Sequence, residues 1–482
     1  MYRSVRILVV GGLCALIACT SSFSASLPAQ PLSWQEMLTQ KYLELDQDRN
    51  TGVAVAVIEG GQVVAQTVFG QARRLPAAPV TLETRFAIGS LSKTLTSALL
   101  YRSADAEEIV LDAPLRDQVP GFHFDDPAIE SSLTFRQLLT MSSGIASHDP
   151  LWLLTGIDAN QIATRFPAFN LSTDGRGHFN YNNIGFAMAA HYQAQKVGRA
   201  WSDQIREAIT EPLQMTRTCV KGQCAADADH AEGHFLSAPI ADAPSETVCP
   251  AGCIQSSIAD MTQWLRTFVQ PARAFEPAAA FESYRRTLVE PTIMIGQAAD
   301  ASIGYAPGWF VLNDAGRKLA FHSGTLPGFK SMLAVLPESR SGFVILTNDG
   351  GRVLVEKLAQ AIATRFLVAS PSLATAFRSL YANSTEDSPG LVQYPHQIDG
   401  SVLFGTYENE IYGTWEIRQD PNHGYFVRLG NTIARMDFTR PNTGVIRLPM
   451  VDQAQAAPFV LDGSGLHVRF ATNQASLLFS PR

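Results

Sequence analysis

Two groups of strand-forming residues lie far apart in this chain and must come together to make a sheet. Val53 to Ile58 and Val63 to Val68 are rich in valine and isoleucine, and Glu59-Gly60-Gly61-Gln62 between them is a hairpin turn. Further runs come only at Trp309 to Leu312, Lys318 to His322, Ser331 to Leu336 and Phe343 to Thr347, the last two joined across Pro337-Glu338-Ser339-Arg340-Ser341-Gly342. A lone hairpin is marginal in water, so the late runs are expected to complete the early pair. Between them, residues 101 to 250 read as a helical insertion with helices at Thr134 to Met141, Ile184 to Val197 and Trp201 to Ile209. A capping box, Ser33-x-x-Glu36, opens a helix on which Trp34, Met37, Leu38, Tyr42 and Leu45 share a face. Arg352 to Val368 is a second amphipathic helix, so helices from both ends of this region are expected on one sheet face. The fold class is α+β, an antiparallel sheet flanked by helices with a helical subdomain.

The chain is long enough for more than one domain: 482 residues, 46% hydrophobic and 17% charged, with a formal net charge of -7. No basic cluster or long run of like charge points to nucleic acid. After Ser370-Pro371 the composition changes, and Ala382 to Leu391 is polar without periodicity, so 371–392 reads as a linker that follows a main domain over 31–370. From 393 to 482, short alternating runs such as Thr414 to Arg418, Tyr425 to Leu429, Val445 to Leu448, Leu466 to Phe470 and Ser476 to Phe479 predict a small antiparallel sheet or barrel. Those runs carry no cluster of His, Asp and Glu, which points to covering, binding or oligomerisation rather than chemistry.

Arg3 and Arg6 precede an apolar run from Ile7 to Ala18 that is too short for a comfortable membrane span and reads as a signal peptide over 1–18. The run ends in Leu16-Ile17-Ala18-Cys19, which resembles a bacterial lipobox, with cleavage near Ala25 as the competing reading. The expected place of work is the bacterial cell envelope: the periplasm, with an outer-membrane anchor at Cys19 if the lipobox is used. Cys219, Cys224, Cys249 and Cys253 are an even set in an exported chain and predict two disulfides. Three connectivities satisfy them, with the local pairs weakly favoured. A zinc site that adds His230 and His234 is the rival, without the two-residue gap of a zinc knuckle.

The chemistry centres on RFAIGSLSKTLTSALL, Arg85 to Leu100. Phe86-Ala87-Ile88 is an extended run broken at Gly89, and Leu91, Leu95, Ala98 and Leu99 then fall at helical spacing. Ser90 therefore opens a helix, and Lys93, one turn on, can fold its amine back to the hydroxyl. A helix N-terminus favours developing negative charge on the serine oxygen, and a buried neutral amine can take its proton.

Two further stretches join it: Tyr181-Asn182-Asn183 ahead of a helix, and His322-Ser323-Gly324 at the end of a strand. Ser90-x-x-Lys93, Tyr181-x-Asn183 and His322-x-Gly324, in this order, resemble the three signature motifs of the serine β-lactamase and penicillin-binding superfamily, in its class C β-lactamase-like branch. The resemblance runs from about residue 33 to 368 and takes in Leu133 to Ile145, Glu211 to Thr218, the segment around Gly252, and Gly304 to Trp309. It implies Ser90 as acylated nucleophile, with Lys93 and Tyr181 sharing the proton traffic and Tyr181 lowered by Lys93 until it accepts a proton. It implies Asn183 orienting Lys93 and a substrate amide, and the backbone N–H groups of Ser90 and Thr325 as oxyanion hole. His322 and Gly324 complete the substrate side. Class C β-lactamases have lysine where His322 stands, so a fixed counter-charge for a substrate carboxylate is absent and efficient penicillin hydrolysis is not expected.

The expected protein is thus an exported serine hydrolase acting through an acyl-enzyme on Ser90, with a small-molecule or peptide substrate and no metal or cofactor. The options are a D-peptidase or carboxypeptidase, an esterase, a class C-like β-lactamase, or a penicillin-binding sensor that acylates without turnover. His230-Ala-Glu-Gly-His234 reads as structural because Gly233 argues for a loop, and His148 reads as an ordinary surface histidine.

Overall fold

The computed structural model describes residues 32–382, apart from 155–156, 173, 226–228, 236–237, 240–245, 271–274 and 289–292, and, between 405 and 481, eight strands and Tyr412. The leader with Cys19 and residues 383–392 of the expected linker lie outside the described residues. No helix among the described residues is long and apolar enough to cross a membrane.

Helix α1 (Trp34–Leu45) starts at the capping box: the Ser33 hydroxyl accepts from the Glu36 amide, and the Glu36 carboxylate accepts from the Ser33 amide at 2.8 Å. Its buried face is Trp34, Leu38 and Tyr42. Strands β1 (Val53–Glu59) and β2 (Gln62–Phe69) form the early hairpin. The late group contains six strands: β3 (Ile293–Ala298), β4 (Ala301–Ala306), β5 (Trp309–Asp314), β6 (Arg317–Leu326), β7 (Phe329–Leu336) and β8 (Ser341–Thr347). All eight join in one antiparallel sheet in the order β3-β4-β5-β6-β7-β8-β1-β2. The closure is the pairing of β1 with β8, in which Val53 faces Thr347 and Val57 faces Phe343. Buried on both faces, β1 is apolar from Val53 to Ile58, as a central strand between helical layers must be.

One face of the sheet carries α1, α5 (Leu354–Phe366) and α6 (Pro371–Leu380), with Trp34, Leu38, Leu358, Ile362 and Phe377 in a common core. The other carries α2 (Ser92–Asp105), α4 (Ile258–Val269) and the helical insertion that includes α3 (Asn183–Val197). Two corrections to the sequence reading follow. Residues 371–380 are helix, not linker: Pro371 occupies a first-turn position that needs no N–H, and Leu373 and Phe377 fall one turn apart and are buried, Phe377 edge-on to Phe321. The edge strand β3 was not legible because its residues are mostly exposed and follow no alternation.

The C-terminal unit is a closed barrel of β9 (Gly405–Asn409), β10 (Gly413–Asp420), β11 (Gly424–Leu429), β12 (Thr432–Arg440), β13 (Thr443–Arg447), β14 (Ala457–Asp462), β15 (Gly465–Val468) and β16 (Leu477–Pro481). It closes where β9 meets β16, Tyr407 opposite Pro481. Trp415, Ile417, Val427, Met436, Ile446, Phe459, Leu466 and Val468 are buried, with period two within β10 and β15. The disulfides are the local pairs, Cys219 with Cys224 and Cys249 with Cys253, which removes the thiols that a zinc site needs.

Candidate active site

Ser90 owes its position to a small three-stranded sheet. Phe86–Ala87 pairs with Ile254–Ser256, which pairs in turn with Cys219–Val220, so both disulfides flank the strands that lead to the serine. Gly89 then turns the chain in a left-handed conformation, φ +52°, and a short 3-10 turn, Gly89–Leu91, carries Ser90 into α2. The same turn abuts β6. A Cβ on Gly324 would stand 2.3 Å from the Ile88 carbonyl oxygen and 3.1 Å from the Ser90 nitrogen, and one on Gly89 would stand 3.1 Å from the Thr325 nitrogen. Neither position has room for a side chain, so the turn before Ser90 and the end of β6 lie backbone to backbone.

Two side chains converge on the serine. Lys93 Nζ lies 2.9 Å from Ser90 Oγ, and the Tyr181 hydroxyl donates to the same oxygen at 2.8 Å. Lys93 also donates to Asn183 Oδ1 at 2.7 Å and to the Ala251 carbonyl at 2.8 Å. Both of these oxygens only accept, so a neutral Lys93 spends its two N–H bonds on them and turns its lone pair to Ser90. Burial favours that neutral form and pulls the amine down to about 7, with the charge of Asp149 acting in the opposite sense. Tyr181 departs from expectation. Burial pushes its phenol up, with the Ser90 hydrogen bond only partly opposing, so the ring keeps its proton and acts as donor.

Asn183 is the first residue of α3, and its neighbour Asn182 is the cap, accepting from the Gly185 amide at 2.8 Å and donating to the Ile145 and Ala146 carbonyls. That leaves Asn183 free to point inward. Its Nδ2 donates to Asp149 Oδ1 at 2.9 Å, and Trp152 Nε1 donates to the same oxygen at 2.8 Å. Since a carboxylate only accepts, Asp149 fixes which end of the Asn183 amide faces Lys93. Neither Asp149 nor Ala251 was legible as a site residue: a single aspartate follows no motif, and Ala251 contributes only a backbone carbonyl.

A family model described as Beta-lactamase matches residues 38–365. The chain belongs to the beta-lactamase family. It is 24% identical over 341 residues to the protein flp of Staphylococcus aureus strain N315, covering 67% of this chain and 64% of flp. It is 27% identical over 333 residues to a D-aminopeptidase of Cereibacter sphaeroides, 67% of this chain and 60% of that one. The match therefore spans less than two thirds of either relative. Among solved structures, the octameric penicillin-binding protein homologue from Pyrococcus abyssi superposes with a TM-score of 0.61 at 20% identity, covering 92% of this chain and 99% of that one. A class C beta lactamase from Rhodobacter sphaeroides gives 0.58 at 19% identity, covering 69% of this chain and 99% of its own. These likenesses are of fold, and they agree with the α+β architecture read from the sequence.

Within this beta-lactamase family fold, His322 sits differently from expectation. It lies inside β6 rather than at its end and is 1% exposed. Nδ1 lies 2.6 Å from the Ser323 carbonyl, which makes it the protonated nitrogen, and Nε2 faces the Tyr305 hydroxyl at 3.3 Å. Burial, together with the charge of Lys93, pulls its pKa down to about 3, so the ring is neutral across the whole working range. His148 is not a surface residue. It is fully buried, its ring 4.2 Å from that of Phe169, and its Nδ1 lies 3.1 Å from the hydroxyl of Tyr412, which comes from the barrel. His234 is bound into the backbone beside Asn348 and Gly350, in keeping with a structural role.

Proposed function

We propose that the protein is a serine hydrolase that cleaves amide or ester bonds through an acyl-enzyme on Ser90. The observation that carries this reading is the convergence of Lys93 Nζ and the Tyr181 hydroxyl on one serine oxygen, at 2.9 and 2.8 Å, with the amine poised near neutrality. Neutral Lys93 takes the Ser90 proton as Oγ attacks the carbonyl carbon. The oxyanion is held by the Ser90 and Thr325 amides. As the tetrahedral adduct collapses, Tyr181 hands its proton to the departing nitrogen or oxygen, and the Lys93 ammonium restores it. Water then attacks the ester, giving its proton to Lys93, and Ser90 leaves with that proton. The buried neutral His322 offers no counter-charge to a substrate carboxylate, which favours D-peptide-like or simple ester substrates over penicillins.

The two disulfides support an oxidising compartment, and we take the bacterial envelope, with a lipid anchor at Cys19, as the place of action. The test is twofold. A fluorophosphonate should label Ser90 by mass spectrometry, and the protein should turn over p-nitrophenyl esters or D-amino-acid amides in steady state. Labelling followed by a single burst without turnover would make it a penicillin-binding sensor instead, and an adduct on another residue would end the assignment.

A further inference from the structure

The carbonyl that completes the hydrogen bonding of Lys93 stands in a piece of chain that does not hold its own shape. Ala251 lies in a single helical turn, Cys249–Gly252, closed by one bond from the Cys253 amide to the Cys249 carbonyl at 3.1 Å. An isolated turn is unfavourable, because several dihedral angles are fixed for one hydrogen bond. The chain leaves it at once for the strand Ile254–Ser256, and the Ile254 amide goes to Ser92 Oγ at 3.1 Å rather than back into a helix. The carbonyls of the turn take their donors from α2 instead: Thr96 Oγ1 donates to Pro250 at 2.7 Å, and Lys93 Nζ to Ala251 at 2.8 Å.

The two ends of this turn are joined covalently. Cys249 and Cys253 are bonded with a sequence separation of 4, Ala251 midway between them, and Ala251 and Cys253 are each 1% exposed. The bridged turn packs against both α2 and α3, the helices that carry Lys93 and Asn183. The other disulfide closes a loop of nearly the same size, with a separation of 5 between Cys219 and Cys224, so the two restrict the unfolded chain to nearly the same extent. Their places differ. Cys219 lies in the outer strand of the three-stranded sheet, with Ile254–Ser256 between it and Phe86–Ala87.

We propose that Cys249–Cys253 is a positioning disulfide for the catalytic base, holding the Ala251 carbonyl on Lys93, so that opening it disables the amine while the domain stays folded. This rests on the acyl-enzyme reading above. With the bridge closed, Asn183 and Ala251 take the two N–H bonds of neutral Lys93, and its lone pair is aimed at Ser90. With the bridge open, the Ala251 carbonyl swings away and water takes its place, and hydration favours the ammonium that burial disfavours. The amine then holds its proton to higher pH and is lost as a base below it. Tyr181, Asp149 and His322 are the titratable groups that bear on Lys93, and opening the bridge leaves all three in place.

The test reads kcat/KM of p-nitrophenyl acetate against pH for the full-length wild type and two double variants, C249A/C253A and C219A/C224A. The acid midpoint should rise by about one pH unit in C249A/C253A, with near-ultraviolet circular dichroism unchanged, and should stay at the wild-type value in C219A/C224A. Dithiothreitol makes the same comparison without substitution. It gives two electrons and two protons to the bridge, leaving two thiols as its own thiols close to a cyclic disulfide, and alkylation with mass spectrometry reports which pair has opened. An unmoved midpoint with the Cys249–Cys253 bridge open, an equal rise in both double variants, or loss of the near-ultraviolet signal when that bridge is opened in the folded wild type overturns the proposal. A wild type whose Ser90 takes no fluorophosphonate overturns the hydrolase reading instead.

Discussion

The two domains bury different things. The catalytic domain places an amine, a phenol, an amide and an imidazole inside a packed interior, Lys93 with no exposure at all, and satisfies each through a partner: Ala251, Ser90, Asp149 and Ser323. The barrel's described interior is apolar, from Trp415 and Ile417 to Leu466 and Val468, and the barrel sends one phenol, Tyr412, to the domain next to it. Buried polar groups are expensive unless fully paired, so a fold retains them where chemistry needs them. The contrast places the polar cluster around Ser90 in one domain, with Tyr412 among the described residues of the barrel that meet that domain.

The largest effect that tests this division is at the nucleophile. Ser90→Ala should reduce turnover to background while near-ultraviolet circular dichroism, which reports the aromatic packing of both domains, stays unchanged. Residual turnover above background would show a second reactive centre and break the comparison. Tyr181→Phe keeps the ring and removes the proton donor, and kcat should fall by about 100- to 10,000-fold. Stopped-flow separation of the two half-reactions would show whether acylation or deacylation carries the loss.

A smaller effect comes from pH. Because burial pulls Lys93 down to about 7, the active neutral form predominates above that value and is lost as pH falls through it. The kcat/KM of an uncharged ester should drop about fivefold between pH 7 and pH 6 as the base becomes protonated. A profile flat across that range would place the base elsewhere. The smallest change is Tyr412→Phe, which keeps the ring and deletes the hydroxyl that meets His148. It should cost about 0.5 to 1.5 kcal/mol of stability by urea unfolding, and a null result would show that this hydroxyl adds nothing to the contact.

Most of the candidate site was legible because it sits in local motifs. Ser90 and Lys93 are one helical turn apart, and Tyr181 and Asn183 flank the cap of α3, so short spacing encodes short distance. What was not legible acts through the backbone or across the chain. Tyr412 and His148 are 264 residues apart, and no local pattern announces the contact that buries them. The state of Tyr181 was misjudged for a related reason: proximity to an amine was visible in the motifs, whereas the burial that outweighs it belongs to the assembled interior. The C-terminal strands showed their alternation, but whether they would close into a barrel depends on the pairing of β9 with β16.

The pairing of β1 with β8 also fixes when this site can come into being. The Thr347 hydroxyl bonds to the Gly52 carbonyl across 295 residues of sequence, and the strand between β8 and β2 has no partner on its inner edge until β8 exists. At about 5 to 20 residues per second, synthesis leaves that edge open for about 15 to 60 s after β1 has emerged. Through that interval the nascent chain presents an apolar strand, Val53 to Ile58, to whatever else can pair with it. A holdase that covers residues 53–58 during synthesis would therefore raise the yield of active protein more than one that acts on the finished chain.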